Sequence, residues 1–67
     1  MENQDIRDHL RAKRIPIYRV AHKIGISEMT LFRWLRVPLS QEHRRKIVDA
    51  INAVTAEMIE EMNSVRI

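Results

Sequence analysis

The sequence predicts an all-α fold, a small domain of four helices in which the last helix is the longest. Apolar residues recur at intervals of three and four, as one face of a helix requires, and the alternation of a half-buried strand never persists. The single glycine and the two prolines divide residues 16–38 at three separate points. Residues 39–67 contain neither residue type, so the final helix can run without interruption.

The first two predicted helices are separated by Pro16. The first covers residues 2–13, because Ile6 and Leu10 share a face and acidic residues precede basic ones, which suits the helix dipole. Proline disfavours a helical conformation at the residue before it but is tolerated at the first position of a new helix. The second helix is therefore expected over residues 16–24. Its expected inward-facing residues are Val20, Ala21 and Ile24.

The third predicted helix covers residues 27–36 and has signals at both ends. Gly25 stands where the preceding helix needs a left-handed residue to end. Ser27 is an N-cap candidate, with Glu28 in the first turn, and Pro38 follows the helix as a stop signal. The residues at core spacing are Leu31, Trp34 and Leu35.

The fourth predicted helix runs from residue 41 to about residue 64 after an N-cap at Ser40, a length on the order of 35 Å. We divide the chain into a core over 1–53 and an extension over 54–67 that continues this helix. The apolar stripe of the extension marks an interface, and we expect a homodimer; pairing with a different protein, and a helix that bends back, are the alternatives. The expected interface residues are Val54, Met58, Ile59, Met62 and Val65.

Charge is unevenly distributed along the chain. The formal net charge of +3 combines eleven Lys and Arg against five acids in residues 1–46 with one Arg against four acids in residues 47–67. The first segment therefore carries +6 and the second −3. A basic body favours a polyanionic partner, whereas an ordinary solvated basic face is the simpler alternative.

One segment, residues 17–36, carries a recognisable pattern. Its fifth position is the small Ala21 and its ninth is Gly25. The positions at which its two helices would pack against each other are apolar. The five apolar positions are Val20, Ile24, Ile26, Leu31 and Trp34. The segment thereby resembles the helix-turn-helix of phage and bacterial regulators and of serine-recombinase DNA-binding domains. It departs from that family at Ile17, where the family often has a glutamine that contacts a phosphate.

The resemblance implies binding of double-stranded DNA, with the third helix in the major groove. The face of that helix away from the core would read bases, and flanking polar residues on three helices would contact phosphates. The implied base-reading residues are Ser27, Glu28, Met29, Phe32, Arg33 and Arg36. The implied phosphate-contacting residues are Tyr18, Arg19, Lys23, Thr30, Arg44, Arg45 and Lys46.

Catalytic and metal-binding signals are weak. His9, His22 and His43 are far apart in sequence, Cys is absent, and no glycine-rich phosphate loop is present. We therefore expect no enzyme, no metal site and no cofactor. The absence of Cys suits a reducing cytoplasm, which is the expected location, and no apolar run is long enough for a membrane span.

The leading functional hypothesis is a sequence-specific DNA-binding transcriptional regulator, a dimeric repressor of phage or mobile-element type. One alternative is an excisionase-like or architectural accessory factor, which would bind tandem or single sites instead of inverted repeats. Another is a protein-interaction adaptor that uses the helix-turn-helix only as a scaffold.

Overall fold

The computed structural model describes residues 3–64, and within them the predicted all-α class and four-helix order are confirmed. The first and third helices begin and end one or two residues inside their predicted limits, and the second begins one residue later than predicted, because the flanking residues are caps. None of the helices in this part of the chain is long and apolar enough to cross a lipid bilayer. The helices are α1 (Gln4–Ala12), α2 (Ile17–Ile24), α3 (Glu28–Leu35) and α4 (Gln41–Ser64).

The core lies where α2 packs against both α3 and α4, and α1 adds two side chains to it. Every helix contributes apolar residues at the predicted three- and four-residue spacing, and Ile15 joins them from the connection between α1 and α2. Ile24 and Trp34, which we expected to face inward, are only partly buried and pack against the edge of this core. The buried residues are Ile6, Leu10, Ile15, Val20, Ala21, Leu31, Leu35, Ile47, Ala50, Ile51 and Val54.

The turn between α2 and α3 has the predicted glycine in a left-handed conformation. Gly25 has φ 92° and ψ 29°. Its N–H donates to the His22 carbonyl at 3.1 Å, and the Ile26 N–H donates to the Ala21 carbonyl at 3.0 Å, which together form a Schellman motif. A Cβ added at Gly25 would meet no heavy atom within 4 Å, so the backbone conformation alone requires glycine here.

The caps of α3 and α4 use the predicted serines. The Thr30 N–H donates to Ser27 Oγ at 3.1 Å, and the His43 N–H donates to Ser40 Oγ at 3.1 Å. The first turn of α4 is also fixed to the last turn of α3, because the Trp34 and His43 rings stack with centroids 3.8 Å apart and planes 7° apart. The direction in which α4 leaves α3 is therefore set by both a cap and a ring contact.

Asn3 makes a contact that no local sequence signal predicted. It has a left-handed backbone with φ 60°, and its Nδ2 donates to the carbonyls of Leu35 at 3.1 Å and Val37 at 2.8 Å. These two carbonyls lie at and just beyond the C-terminal end of α3, where helix carbonyls lack intrahelical partners. Asn3 thereby ties the beginning of α1 to the end of α3.

We expect the substitution Asn3→Gly to lower the free energy of unfolding by about 1–2 kcal/mol, because it removes both hydrogen bonds and leaves the left-handed backbone unstrained. Arg14→Gly is the matched control, since exposed Arg14 also has a left-handed backbone, with φ 56°, and relief of that strain should leave stability unchanged or raised. Urea denaturation followed by circular dichroism measures both. Equal effects of the two substitutions would contradict the role of the Asn3 amide.

The extension of α4 is only partly available to a partner. Val54, expected at a dimer interface, is 1% exposed and belongs to the chain's own core, so that assignment is wrong. The cause is that the packed core continues along α4 beyond residue 53, where we expected it to end. Met58 is partly buried against the same core, whereas Ile59 and Met62 are 56% and 76% exposed. Val65 lies outside the described residues.

Candidate nucleic-acid interface

The exposed face of α3 brings five of the six predicted base-reading residues together. They line one shallow surface depression, and the opposite face of the helix carries the fully buried Leu31 and Leu35. Met29 is 72% exposed and Phe32 38% exposed, so two large apolar side chains on this face are accessible to solvent. The five residues lining the depression are Glu28, Met29, Phe32, Arg33 and Arg36.

The sixth candidate, Ser27, is engaged in capping. Its Oγ accepts the Thr30 N–H and lies 2.9 Å from Thr30 Oγ1. Thr30, predicted to contact a phosphate, is therefore hydrogen-bonded to the cap as well. Both hydroxyls are at the N-terminal end of α3, where they hold the first turn of the exposed face in place.

The exposed surface of α2 adjoins the first turn of α3. Tyr18, Arg19 and Lys23 border a second depression together with His22, and Glu28 lines both depressions. The predicted phosphate-contacting residues of α2 are thus continuous with the predicted base-reading face. This continuity depends on the angle between α2 and α3, which the Schellman turn and the buried Ala21 establish.

The three predicted phosphate contacts of α4 do not form one cluster. Arg44 is turned toward α1, where its Nη2 donates to Asp5 Oδ2 at 2.5 Å. Lys46 shares a depression with Lys23 of α2, and its Nζ lies 3.7 Å from Glu42 Oε1, one turn earlier. Arg45 is exposed. Consecutive helix residues differ by about 100° around the axis, so a run of three cations spreads over more than half of the circumference.

The pair between Asp5 and Arg44 makes stability depend on pH. The hydrogen bond from Arg44 holds the pKa of Asp5 below its ordinary value of 3.8. Because the pKa is lower in the folded state, the stabilisation is complete above the unfolded-state pKa and is lost as pH falls through the folded-state pKa.

We therefore expect the free energy of unfolding of Asp5→Asn to change less than that of the wild type between about pH 5 and pH 2. Urea denaturation at a series of pH values measures this difference. Asp8→Asn is the control, since Asp8 accepts a hydrogen bond at 2.7 Å from the neutral amide of Gln4. Identical pH profiles for Asp5→Asn and the wild type would contradict the prediction.

An ion-pair cluster between α2 and the end of α4 was not predicted from the sequence, which indicated only that residues 47–67 are acidic. Arg19 Nη2 lies 2.7 Å from Glu61 Oε2 and 3.5 Å from Glu57 Oε1, and Lys23 also pairs with Glu57. The hydrogen bond from Lys23, followed by that from Arg19, lowers the pKa of Glu57 below its ordinary value of 4.5. The hydrogen bond to Glu61 raises the pKa of Arg19. The sequence signal that could have indicated this cluster is the opposite net charge of residues 1–46 and residues 47–67.

Residues 3–64 contain no cluster of three or more His, Asp or Glu side chains that could hold a metal ion. Comparisons of the chain with protein-family models, with curated proteins and with solved structures gave no match.

Proposed function

We propose that this chain is a sequence-specific DNA-binding protein that inserts α3 into the major groove and regulates transcription, as a repressor of phage or mobile-element type. The observation that carries the proposal is the exposed face of α3, where five polar and large apolar side chains converge beside a surface of α2 that carries Arg19 and Lys23. An α-helix fits the major groove of B-form DNA, and the first turn of such a helix approaches the base edges. Such a regulator of bacterial or phage DNA acts in the cytoplasm.

The side chains on this face have distinct proposed roles. Arg33 is exposed and pairs with no carboxylate among the described residues, so its guanidinium is available for guanine O6 and N7. Arg36, one turn beyond the centre of the face, is a second candidate of the same kind. Glu28 accepts from cytosine N4, and Met29 or Phe32 covers a thymine methyl group.

Phosphate contacts supply the affinity that is independent of sequence. Tyr18 and Arg45 are exposed, and Lys46 lies beside Lys23 on the same side of the molecule as α2. These residues position the protein on the duplex without reading the sequence. Arg44 faces α1, where it pairs with Asp5.

We also propose that two copies associate through the end of α4. Ile59 and Met62 expose large apolar side chains there, next to the partly buried Met58. A second copy would cover them, since flexible Met side chains adapt readily to a partner surface. Association also increases affinity, because one small module contacts little DNA and a two-fold dimer reads two half-sites.

Selection from a pool of random duplex DNA with the purified protein tests this function. We expect enrichment of an inverted repeat with half-sites about one helical turn apart. A single or tandem site would preserve DNA binding but contradict the symmetric dimer, and would favour an architectural accessory factor of the excisionase type. Absence of any enriched sequence would contradict sequence-specific binding.

A further inference from the structure

The acidic C-terminal half of α4 lies against Arg19 and Lys23, the cations of α2 that the helix-turn-helix resemblance assigns to phosphate contacts. We propose that Glu57 and Glu61 are intramolecular competitors of DNA phosphates for Arg19 and Lys23, and that this contact lowers the affinity of the protein for DNA. The inference depends on the proposed function, because it requires that α2 faces the DNA backbone.

The guanidinium of Arg19 is already hydrogen-bonded to an anion, the carboxylate of Glu61. Arg19 Nη1 donates to Glu61 Oε1 at 3.4 Å and Nη2 donates to Glu61 Oε2 at 2.7 Å, so two nitrogens face the two oxygens of one carboxylate. A phosphate binds arginine through the same paired donors. The side chain of Arg19 is only 24% exposed, which restricts the directions from which a second anion can approach.

The two carboxylates act on neighbouring cations. Glu57 pairs with Lys23 and also lies 3.5 Å from Arg19, and Glu61 pairs with Arg19 one helical turn later. Because α4 is one uninterrupted helix from Gln41 to Ser64, both carboxylates are carried on the same rigid element. They therefore present a pair of negative charges to α2, as two phosphates of a DNA strand would.

Ion pairs between side chains that remain partly accessible to water are generally weak, so DNA can displace them. Displacement still has a cost, because each cation must leave a carboxylate and each carboxylate then lies near the DNA phosphates. The cations of the wild type therefore contribute less to binding than unpaired cations would. Removal of the two carboxylates should make binding both tighter and more strongly dependent on salt concentration.

The experiment compares the wild type with Glu57→Gln/Glu61→Gln on a fluorescein-labelled duplex of mixed sequence, since phosphate contacts do not require an operator. Fluorescence anisotropy measures Kd over a range from about 50 to 200 mM salt. We expect the double variant to bind roughly tenfold more tightly at the lowest salt, with a slope of log affinity against log salt that is steeper by about 1 to 2.

Two controls separate competition from a general change of charge. Glu60→Gln removes one negative charge, as Glu61→Gln alone does, from an exposed position that is not paired with α2, and we expect less than about a twofold change in Kd. In an Arg19→Gln/Lys23→Gln background, adding Glu57→Gln and Glu61→Gln should no longer tighten binding. The two cations for which the carboxylates and the phosphates compete are then absent. Circular dichroism measures whether each variant is folded. If the double variant is unfolded, the single variant Glu61→Gln is used in its place.

The outcomes distinguish this inference from the proposed function. If the wild type binds DNA and Glu57→Gln/Glu61→Gln binds no more tightly than Glu60→Gln, the competition is refuted and DNA binding stands. The competition is also refuted if the gain persists without Arg19 and Lys23. If neither the wild type nor any variant binds the duplex, the proposed function itself fails. Binding by the double variant alone would be the strongest support for the competition.

Discussion

Replacement of Leu31 by alanine is expected to remove most of the stability of this domain. Leu31 is fully buried on the inner face of α3 and belongs to the core that α3 shares with α2 and α4. Truncation of a buried leucine costs about 2–5 kcal/mol, because apolar surface is lost and a cavity remains. A domain of this length has a total free energy of unfolding on the order of 3–10 kcal/mol. The variant should therefore be substantially unfolded at 37 °C or close to its unfolding midpoint.

Met29→Ala is the matched control, because Met29 is in the same helix but on the exposed face. Its effect on the free energy of unfolding should stay within about 0.5 kcal/mol. Thermal and urea denaturation, followed by circular dichroism at 222 nm, measure both variants. A loss below about 1 kcal/mol for Leu31→Ala would show that α3 does not depend on this core contact for its position.

Replacement of Arg33 by alanine is expected to abolish much of the sequence specificity of DNA binding. Arg33 lies on the exposed face of α3 between Met29 and Arg36, with no carboxylate paired to it among the described residues. A bidentate contact to guanine supplies about 1–3 kcal/mol of discrimination, which corresponds to a loss of roughly five- to 150-fold in affinity for the selected site. Binding to a mixed-sequence duplex should weaken much less.

The measurement compares Kd for the selected duplex and for the mixed-sequence duplex at one salt concentration. Arg11→Ala is the control, since it removes the same charge from an exposed position on α1. An equal loss on both duplexes, with a salt slope lowered by about 1, would reassign Arg33 from base reading to phosphate contact. Unchanged binding to both duplexes would remove Arg33 from the interface.

Much of the fold was predictable because its signals are local. Gly25 follows the last apolar residue of α2, and the left-handed conformation it adopts closes hydrogen bonds to residues three to five positions earlier. Ser27 and Ser40 each cap a backbone N–H three residues later. These interactions depend only on neighbouring residues in the chain, so a pattern in the sequence is sufficient to identify them.

The candidate site was predictable in part for the same reason. Helical periodicity places Met29, Phe32, Arg33 and Arg36 opposite Leu31 and Leu35, and the structure brings the first four together with Glu28. Periodicity also placed Val54 on the stripe of α4, but it could not determine how far α2 would cover that stripe. Burial of Val54 is a property of the packed helices and not of α4 alone.

The sequence by itself determined the helices, their caps, the tight turn and the outward face of α3, because each follows from short-range backbone chemistry and helical periodicity. The tertiary structure alone decided which distant groups meet. The Asn3 amide binds a carbonyl 32 residues away, and Arg19 pairs with a carboxylate 42 residues away. Such contacts require that several helices pack at particular angles, and many different pairings of charges are compatible with the same local pattern.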